Sequence, residues 1–122
     1  MAKITGIGGI FFKATDPKAL AAWYRDTLGL TVEDWGGVLF NPDPAVLPRT
    51  VWSPFAAGTK YFAPSEKPFM INFAVDDLDG FLKDIAAKGV AVLERADHGD
   101  MGLFAWILDP DGNKLEFWQP KI

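Results

Sequence analysis

The stretch Gly9-Ile-Phe-Phe-Lys-Ala-Thr-Asp16 is answered later in the chain by Met70-Ile-Asn-Phe-Ala-Val-Asp-Asp77, and this recurrence decides the fold. Each stretch leads into a helix-like segment and then a glycine-centred run. These runs are Leu28-Gly29-Leu30-Thr-Val32 and Lys88-Gly89-Val90-Ala-Val92. The spacing from Gly9 to Met70 exceeds that from Gly29 to Gly89 by a single residue, so one deletion aligns the copies. Their ends also match, Thr50-Val-Trp-Ser-Pro54 against Glu116-Phe-Trp-Gln-Pro120. One supersecondary unit is used twice.

Each copy opens with a strand. Ile10, Phe12 and Ala14 alternate with Gly9, Phe11 and Lys13, while Ile71, Phe73 and Val75 alternate with Met70, Asn72 and Ala74. A period of two with one wholly apolar face indicates a half-buried strand, and the mixed face is where a site would lie. Two helices follow. Asp16 is placed to cap the first, with Pro17 at the first helical position and Gly29 as its left-handed stop. Leu20, Trp23, Tyr24, Thr27 and Leu28 form its expected apolar stripe; Asp77 caps the second helix, whose stripe is Leu78, Phe81, Leu82, Ile85 and Ala86.

Short strands are expected at 31–34, 37–40 and 50–53 in the first copy, and at 91–95, 102–108 and 114–119 in the second. Asp109-Pro-Asp-Gly-Asn113 reads as the hairpin joining the last two, its aspartates serving the turn. The whole chain, 1–122, then forms one domain: a βαβββ module over 5–53, a linker over 54–67, and a second βαβββ module over 68–120. The class is α+β, with the mixed sheet faces of both modules turned toward a common cavity.

Composition narrows the partners. A hydrophobic content of 49% with 23% charged residues is that of a globular chain, and 122 residues suffice for a core without external staples. The absence of cysteine removes disulfides, thiolate ligands and cysteine nucleophiles. A net charge of −4 without a basic stripe argues against nucleic acid. The opening Met-Ala-Lys-Ile-Thr-Gly has no apolar run of signal-peptide length, and Leu103 to Leu108 falls far short of the ~20 residues of a membrane helix. A cytoplasmic protein without membrane attachment is expected.

Three stretches carry a resemblance: Asp16-Pro-Lys-Ala-Leu-Ala-Ala-Trp-Tyr-Arg-Asp-Thr-Leu-Gly-Leu30, Phe73-Ala-Val-Asp-Asp-Leu-Asp79, and Trp106-Ile-Leu-Asp-Pro-Asp-Gly-Asn-Lys-Leu-Glu116. Through them the chain resembles the vicinal oxygen chelate superfamily of glyoxalases, bleomycin-resistance proteins, fosfomycin-resistance enzymes and extradiol dioxygenases. The resemblance implies paired βαβββ modules in a curved, partly closed mixed sheet around a cavity, and a homodimer. It also implies metal ligands at the positions of Gly9, Thr50, Met70 and Glu116. Only Glu116 suits a hard cation; glycine has no side chain, methionine is soft, and threonine is a weak neutral donor. No metal and no cofactor are therefore expected.

Glu116 becomes the residue of greatest interest. It is a relic or one half of a surface or intramolecular ion pair, for instance with Lys13; or a carboxyl desolvated among aromatics; or a metal ligand. The second state would raise its pKa and make it a general base or a ligand anchor. Asn72 is placed to orient a ligand or to satisfy neighbouring backbone, and His98 is a solvated loop residue or a lid. Trp52, Met70, Phe104, Trp106 and Trp118 are candidates for an apolar wall or for plain core. Thr5-Gly-Ile-Gly-Gly9 precedes a strand, so its glycines indicate close backbone packing instead of a phosphate loop.

The function expected from these residues and from the resemblance is metal-free binding of a small, apolar or aromatic molecule. The alternatives are a metal-dependent lyase, isomerase or dioxygenase, metal-free catalysis with Glu116 as base, or a cavity filled by the protein's own side chains.

Overall fold

The computed structural model describes residues 2–40 and 50–121. The described elements run β1 (Ile4–Ala14), α1 (Pro17–Leu28), β2 (Val38–Phe40), β3 (Thr50–Ala56), β4 (Phe69–Val75), α2 (Leu78–Ala87), β5 (Glu94–Asp97), β6 (Leu103–Leu108) and β7 (Lys114–Gln119). All seven strands join one mixed sheet in the order β2-β3-β1-β4-β7-β6-β5. The duplication is visible in the pairing: β1 runs parallel to β3, β4 parallel to β7, and the two halves meet through antiparallel β1 and β4. Neither helix is long and apolar enough to cross a membrane.

The two sheet faces bury different things. On one, α2 lays Leu78 and Leu82 against Val75, Ala105, Ile107 and Phe117. On the other, Phe11, Met70, Phe104, Trp106 and Trp118 close around Phe62, with Val51, Phe55 and Ala96 at the margin. Six of the seven strands supply residues to this second cluster. A flat sheet would spread them across about 24 Å, given strand spacings near 4.8 Å. Their meeting at one cluster requires the sheet to curl, with this face inside.

Both caps form as the sequence indicates. Asp16 Oδ1 accepts from the Ala19 amide at 3.1 Å, and Asp77 Oδ1 accepts from the Gly80 amide at 3.1 Å. Gly29 takes the left-handed conformation at φ 78° and ends α1. In the 109–113 hairpin, Asp109 Oδ1 accepts from the amides of Asp111 and Asn113, each at 2.9 Å. These aspartates are spent on the backbone.

Several expected elements are displaced. Residues 31–34 form no strand: the Glu33 amide donates to the Gly37 carbonyl at 2.8 Å, so this segment reverses upon itself. Among described residues the first module is therefore βαββ, while the second is βαβββ. The strand expected at 91–95 begins only at Glu94. β3 continues past Ser53 to Ala56, with Pro54 level with Phe12. β2 covers β3 only over Thr50–Trp52, so Pro54 stands where the outer edge is free and its missing N–H breaks no ladder.

The α1 stripe is rotated. Ala21 is its buried residue, and Tyr24 rests on Trp52 at 4.4 Å between ring centroids, while Trp23 is 52% exposed. The α2 stripe holds through Leu78, Phe81, Leu82 and Ile85, with Ala86 left exposed.

The caps generate a stability prediction. Asp16→Ala and Asp77→Ala should each cost about 1 kcal/mol, and the double variant about the sum, because the caps share no partner. Urea denaturation should show lower midpoints with unchanged m-values. A cap variant that instead abolished ligand binding without loss of stability would contradict this assignment.

Candidate functional site

Strand alternation and register assemble the site on the inner face. β7 directs Glu116 and Trp118 inward and Phe117 toward α2. Across the sheet, Val51, Gly9, Asn72, Glu116 and Trp106 stand level on successive strands. Glu116 is 1% exposed, as is Asn72. Its carboxyl accepts three hydrogen bonds: from Asn72 Nδ2 at 2.6 Å, from Trp106 Nε1 at 2.7 Å and from the Tyr61 hydroxyl at 2.5 Å. Three donors from three separate segments converge on one buried group.

The electrostatics are opposed. Burial, the largest influence, pushes the Glu116 carboxyl above its ordinary pKa, while the hydrogen bonds from Tyr61, Asn72 and Trp106 pull it down. The net direction is upward. Tyr61 is also held above its ordinary pKa, first by burial and then by the adjacent Glu116 charge, so it remains a phenol and a donor. Lys114 lies over the rings of Tyr61 and Trp106, at 5.4 and 5.6 Å from their centroids, and donates to the Tyr61 carbonyl at 2.7 Å. Partial burial lowers its pKa, an effect opposed by Glu116 and Glu94.

Of the residues singled out in the sequence, Asn72 and Trp106 both bond Glu116, and Met70, Phe104 and Trp118 pack with Trp106 in the apolar cluster. Trp118 donates to the Met101 carbonyl at 2.7 Å. His98 is exposed at the rim, its ring 5.0 Å from that of Phe104. Trp52 is not part of this group. Val51 faces the inner cluster, so alternation turns Trp52 to the opposite face, against Tyr24. Nor does Lys13 pair with Glu116: its ammonium lies over the Phe62 ring, 6.0 Å from the centroid.

Tyr61 and Phe62 were not singled out, because the 54–67 segment reads as a connecting loop. That segment instead inserts Phe62, fully buried, into the inner cluster and brings the Tyr61 hydroxyl to Glu116. A signal was present in the chain: two adjacent large aromatics in a segment otherwise rich in Gly, Pro, Ser and Ala. Exposed linkers have little use for such a pair.

Glycine permits the arrangement at one point. A Cβ at Gly8 would collide with Asn72 Oδ1 and lie 3.1 Å from the Trp118 ring, so the bare backbone makes room for the buried amide. Among the described residues that oxygen has no hydrogen-bond partner.

The donor set does not fit a divalent cation. Register places Asn72 level with Glu116, not Met70, and Val51, not Thr50, on the other side. The Thr50 hydroxyl donates to the Ile7 carbonyl at 3.0 Å, and Met70 is enclosed in the apolar cluster. Hydrogens, not lone pairs, face Glu116 from its three neighbours. Among the described residues no group of three His, Cys, Asp or Glu side chains is placed to hold a metal.

Residues 9–118 match the glyoxalase-like domain family. The chain belongs to this family. Solved structures with the same fold agree with the vicinal oxygen chelate superfamily. A Streptomyces coelicolor methylmalonyl-CoA epimerase variant in complex with 2-nitronate-propionyl-CoA superposes with a TM-score of 0.72 at 22% identity, covering 98% of this chain and 100% of that one. Methylmalonyl-CoA epimerase from Mycobacterium tuberculosis gives 0.66 at 17% identity, covering 98% and 90%. A glyoxalase/bleomycin resistance protein/dioxygenase superfamily member from Vibrio splendidus 12B01 gives 0.55 at 16%, covering 98% and 99%. These likenesses concern the fold. No curated protein matches the chain.

Within this glyoxalase-like domain the Glu116 environment implies a pH dependence. With a folded pKa above the ordinary 4.5, the native state holds a proton that the unfolded chain has released. Stability therefore falls as pH rises from about 4.5 through the folded value, and is level above it. Glu116→Gln removes this titration. The difference in melting temperature, wild type minus variant, should decline across that window; a flat difference from pH 4 to 8 would contradict the upward shift.

Proposed function

We propose that this glyoxalase-like protein binds a small, apolar or aromatic molecule on the inner face of its curved sheet, without the metal used elsewhere in the superfamily. One observation carries the proposal. Glu116 is a carboxyl enclosed by aromatic side chains, with Asn72, Trp106 and Tyr61 fixing its orientation. Such a group is costly to bury, and a hydrophobic core of this size gains nothing from it by packing alone. Combined with an apolar wall it supplies the usual logic of a small-molecule site: area for affinity and one placed polar group for orientation.

Thermal denaturation with a panel of small aromatic and aliphatic compounds tests this reading. A true ligand at a hundredfold excess over its Kd should stabilise by about 2.7 kcal/mol and raise the melting temperature by several degrees. EDTA should leave the melting temperature unchanged. A fall on chelation, reversed by one divalent ion, would count against metal-free binding.

A second reading is favoured by the upward shift of the Glu116 carboxyl, which suits a general base abstracting a proton next to a carbonyl. The fold neighbours that include methylmalonyl-CoA epimerases make acyl-CoA thioesters the first compounds to try. Under this reading, incubation with methylmalonyl-CoA in D2O exchanges the α-hydrogen, and Glu116→Gln slows the exchange by a factor on the order of 100 or more. Exchange at the uncatalysed rate with wild-type protein would remove this reading for that substrate class.

A further inference from the structure

The Tyr61 side chain is bound as a ligand would be. Its ring stacks on Phe55 with centroids 5.4 Å apart and planes 18° from parallel, and meets Trp106 edge-on at 6.1 Å. The Lys114 ammonium lies over its face, and its hydroxyl donates to Glu116 Oε2. Stacking wall, edge contact, cation and acceptor together make a recognition set for a phenol.

Tyr61 is also the member of the cluster that can leave. It is 38% exposed, whereas Phe62 beside it is fully buried and Lys114 holds the Tyr61 carbonyl. Rotation about the side-chain torsions would swing the ring out to solvent while the backbone stays anchored. Exposed rings make such rotamer changes quickly. Glu116 would keep the Asn72 and Trp106 donors, so the carboxyl would not be stranded. What remains is a slot of one aromatic ring, open at the end where the tyrosine Cβ now enters.

We infer that Tyr61 is an internal stand-in for a phenolic ligand, and that this site takes para-substituted phenols with the hydroxyl on Glu116 and the substituent directed outward. The inference rests on the small-molecule reading above and gives it a ligand class. It also makes Tyr61 a competitor. A tethered ring is present at high effective concentration, so a free phenol binds the wild-type protein with an affinity reduced by the fraction of time the slot is vacant.

The experiment uses p-cresol, which is the tyrosine side chain with a methyl group in place of its Cβ, and toluene, which has the same ring without the hydroxyl. Binding is followed by calorimetry, and the Trp106 indole N–H is followed by nitrogen-resolved NMR. Tyr61→Gly should bind p-cresol at least tenfold more tightly than wild type does, and at least tenfold more tightly than it binds toluene, the latter ratio being the worth of a hydrogen bond to a carboxylate, about 1.5–3 kcal/mol. The Trp106 signal should shift on p-cresol addition. Tyr61→Phe keeps the ring but loses its hold on Glu116, so its affinity for p-cresol should lie between the two. This ordering also decides the matter if Tyr61→Gly does not fold.

Equal binding of p-cresol and toluene by Tyr61→Gly would overturn phenol recognition while leaving a small-molecule cavity in place. Binding of neither, or an affinity that is the same in wild type and Tyr61→Phe, would overturn the stand-in role itself. In that event the wild-type compound panel separately decides the broader reading.

Discussion

A carboxyl group in an aromatic cluster is the constraint around which this fold is organised. Left without partners, Glu116 would cost several kcal/mol to bury. Its environment meets that demand with donors from three places: Asn72 on β4, Trp106 on β6 and Tyr61 from the segment between the modules. Each donor needs its own backbone held at the right level. The pairing of β4 with β7 brings Asn72 beside Glu116, and that of β6 with β7 brings Trp106. The bare backbone at Gly8 leaves room for the amide.

The same requirement explains why the two sheet faces differ so sharply. Helix α2 covers its face with aliphatic and phenyl groups, which need no polar satisfaction. The inner face has phenyl groups too, but adds two indoles, an amide and a phenol, side chains with one apolar body and one polar end. Such side chains can line a space and still find partners at their tips. The superfamily's metal chemistry calls for the reverse, several lone pairs directed at one point. Here the groups level with Glu116 are an amide and an indole presenting hydrogens, a glycine and a valine. The scaffold persists while the polarity of its centre is inverted.

The segment joining the modules has the largest share in this inversion. Its Phe62 fills the inner cluster, and its Tyr61 closes the third side of Glu116. Lys114, two residues before Glu116 on the same strand, fixes the segment through the Tyr61 carbonyl and covers both flanking rings. The connection between the repeats is thus one wall of the inner cluster.

Local periodicity made much of this legible in the chain. The α2 stripe and the inward direction of Glu116, Asn72 and Trp106 follow from spacings of 3.6 and two residues, and the caps Asp16 and Asp77 and the hairpin after β6 from residue type. Where the local signal is degenerate, tertiary packing decides. Trp23 and Ala21 are both apolar but lie on opposite sides of α1, and only packing, with Tyr24 against Trp52, chose the buried side. Trp52 looked like lining because its identity suits a pocket, although its strand parity belongs to the other face. The sequence alone determined the duplicated architecture and left a single acidic side chain among Gly9, Thr50, Met70 and Glu116 on the first and last strands, since both are written in residue type and order. That this group is buried among aromatics was decided by the fold. Which residues stand level with that group, and that Tyr61 reaches it from 55 positions away, was decided by tertiary structure. Strand register, the irregularities of β1 at Gly6 and Gly9, and the path of a loop depend on contacts distant in sequence, which local pattern does not encode.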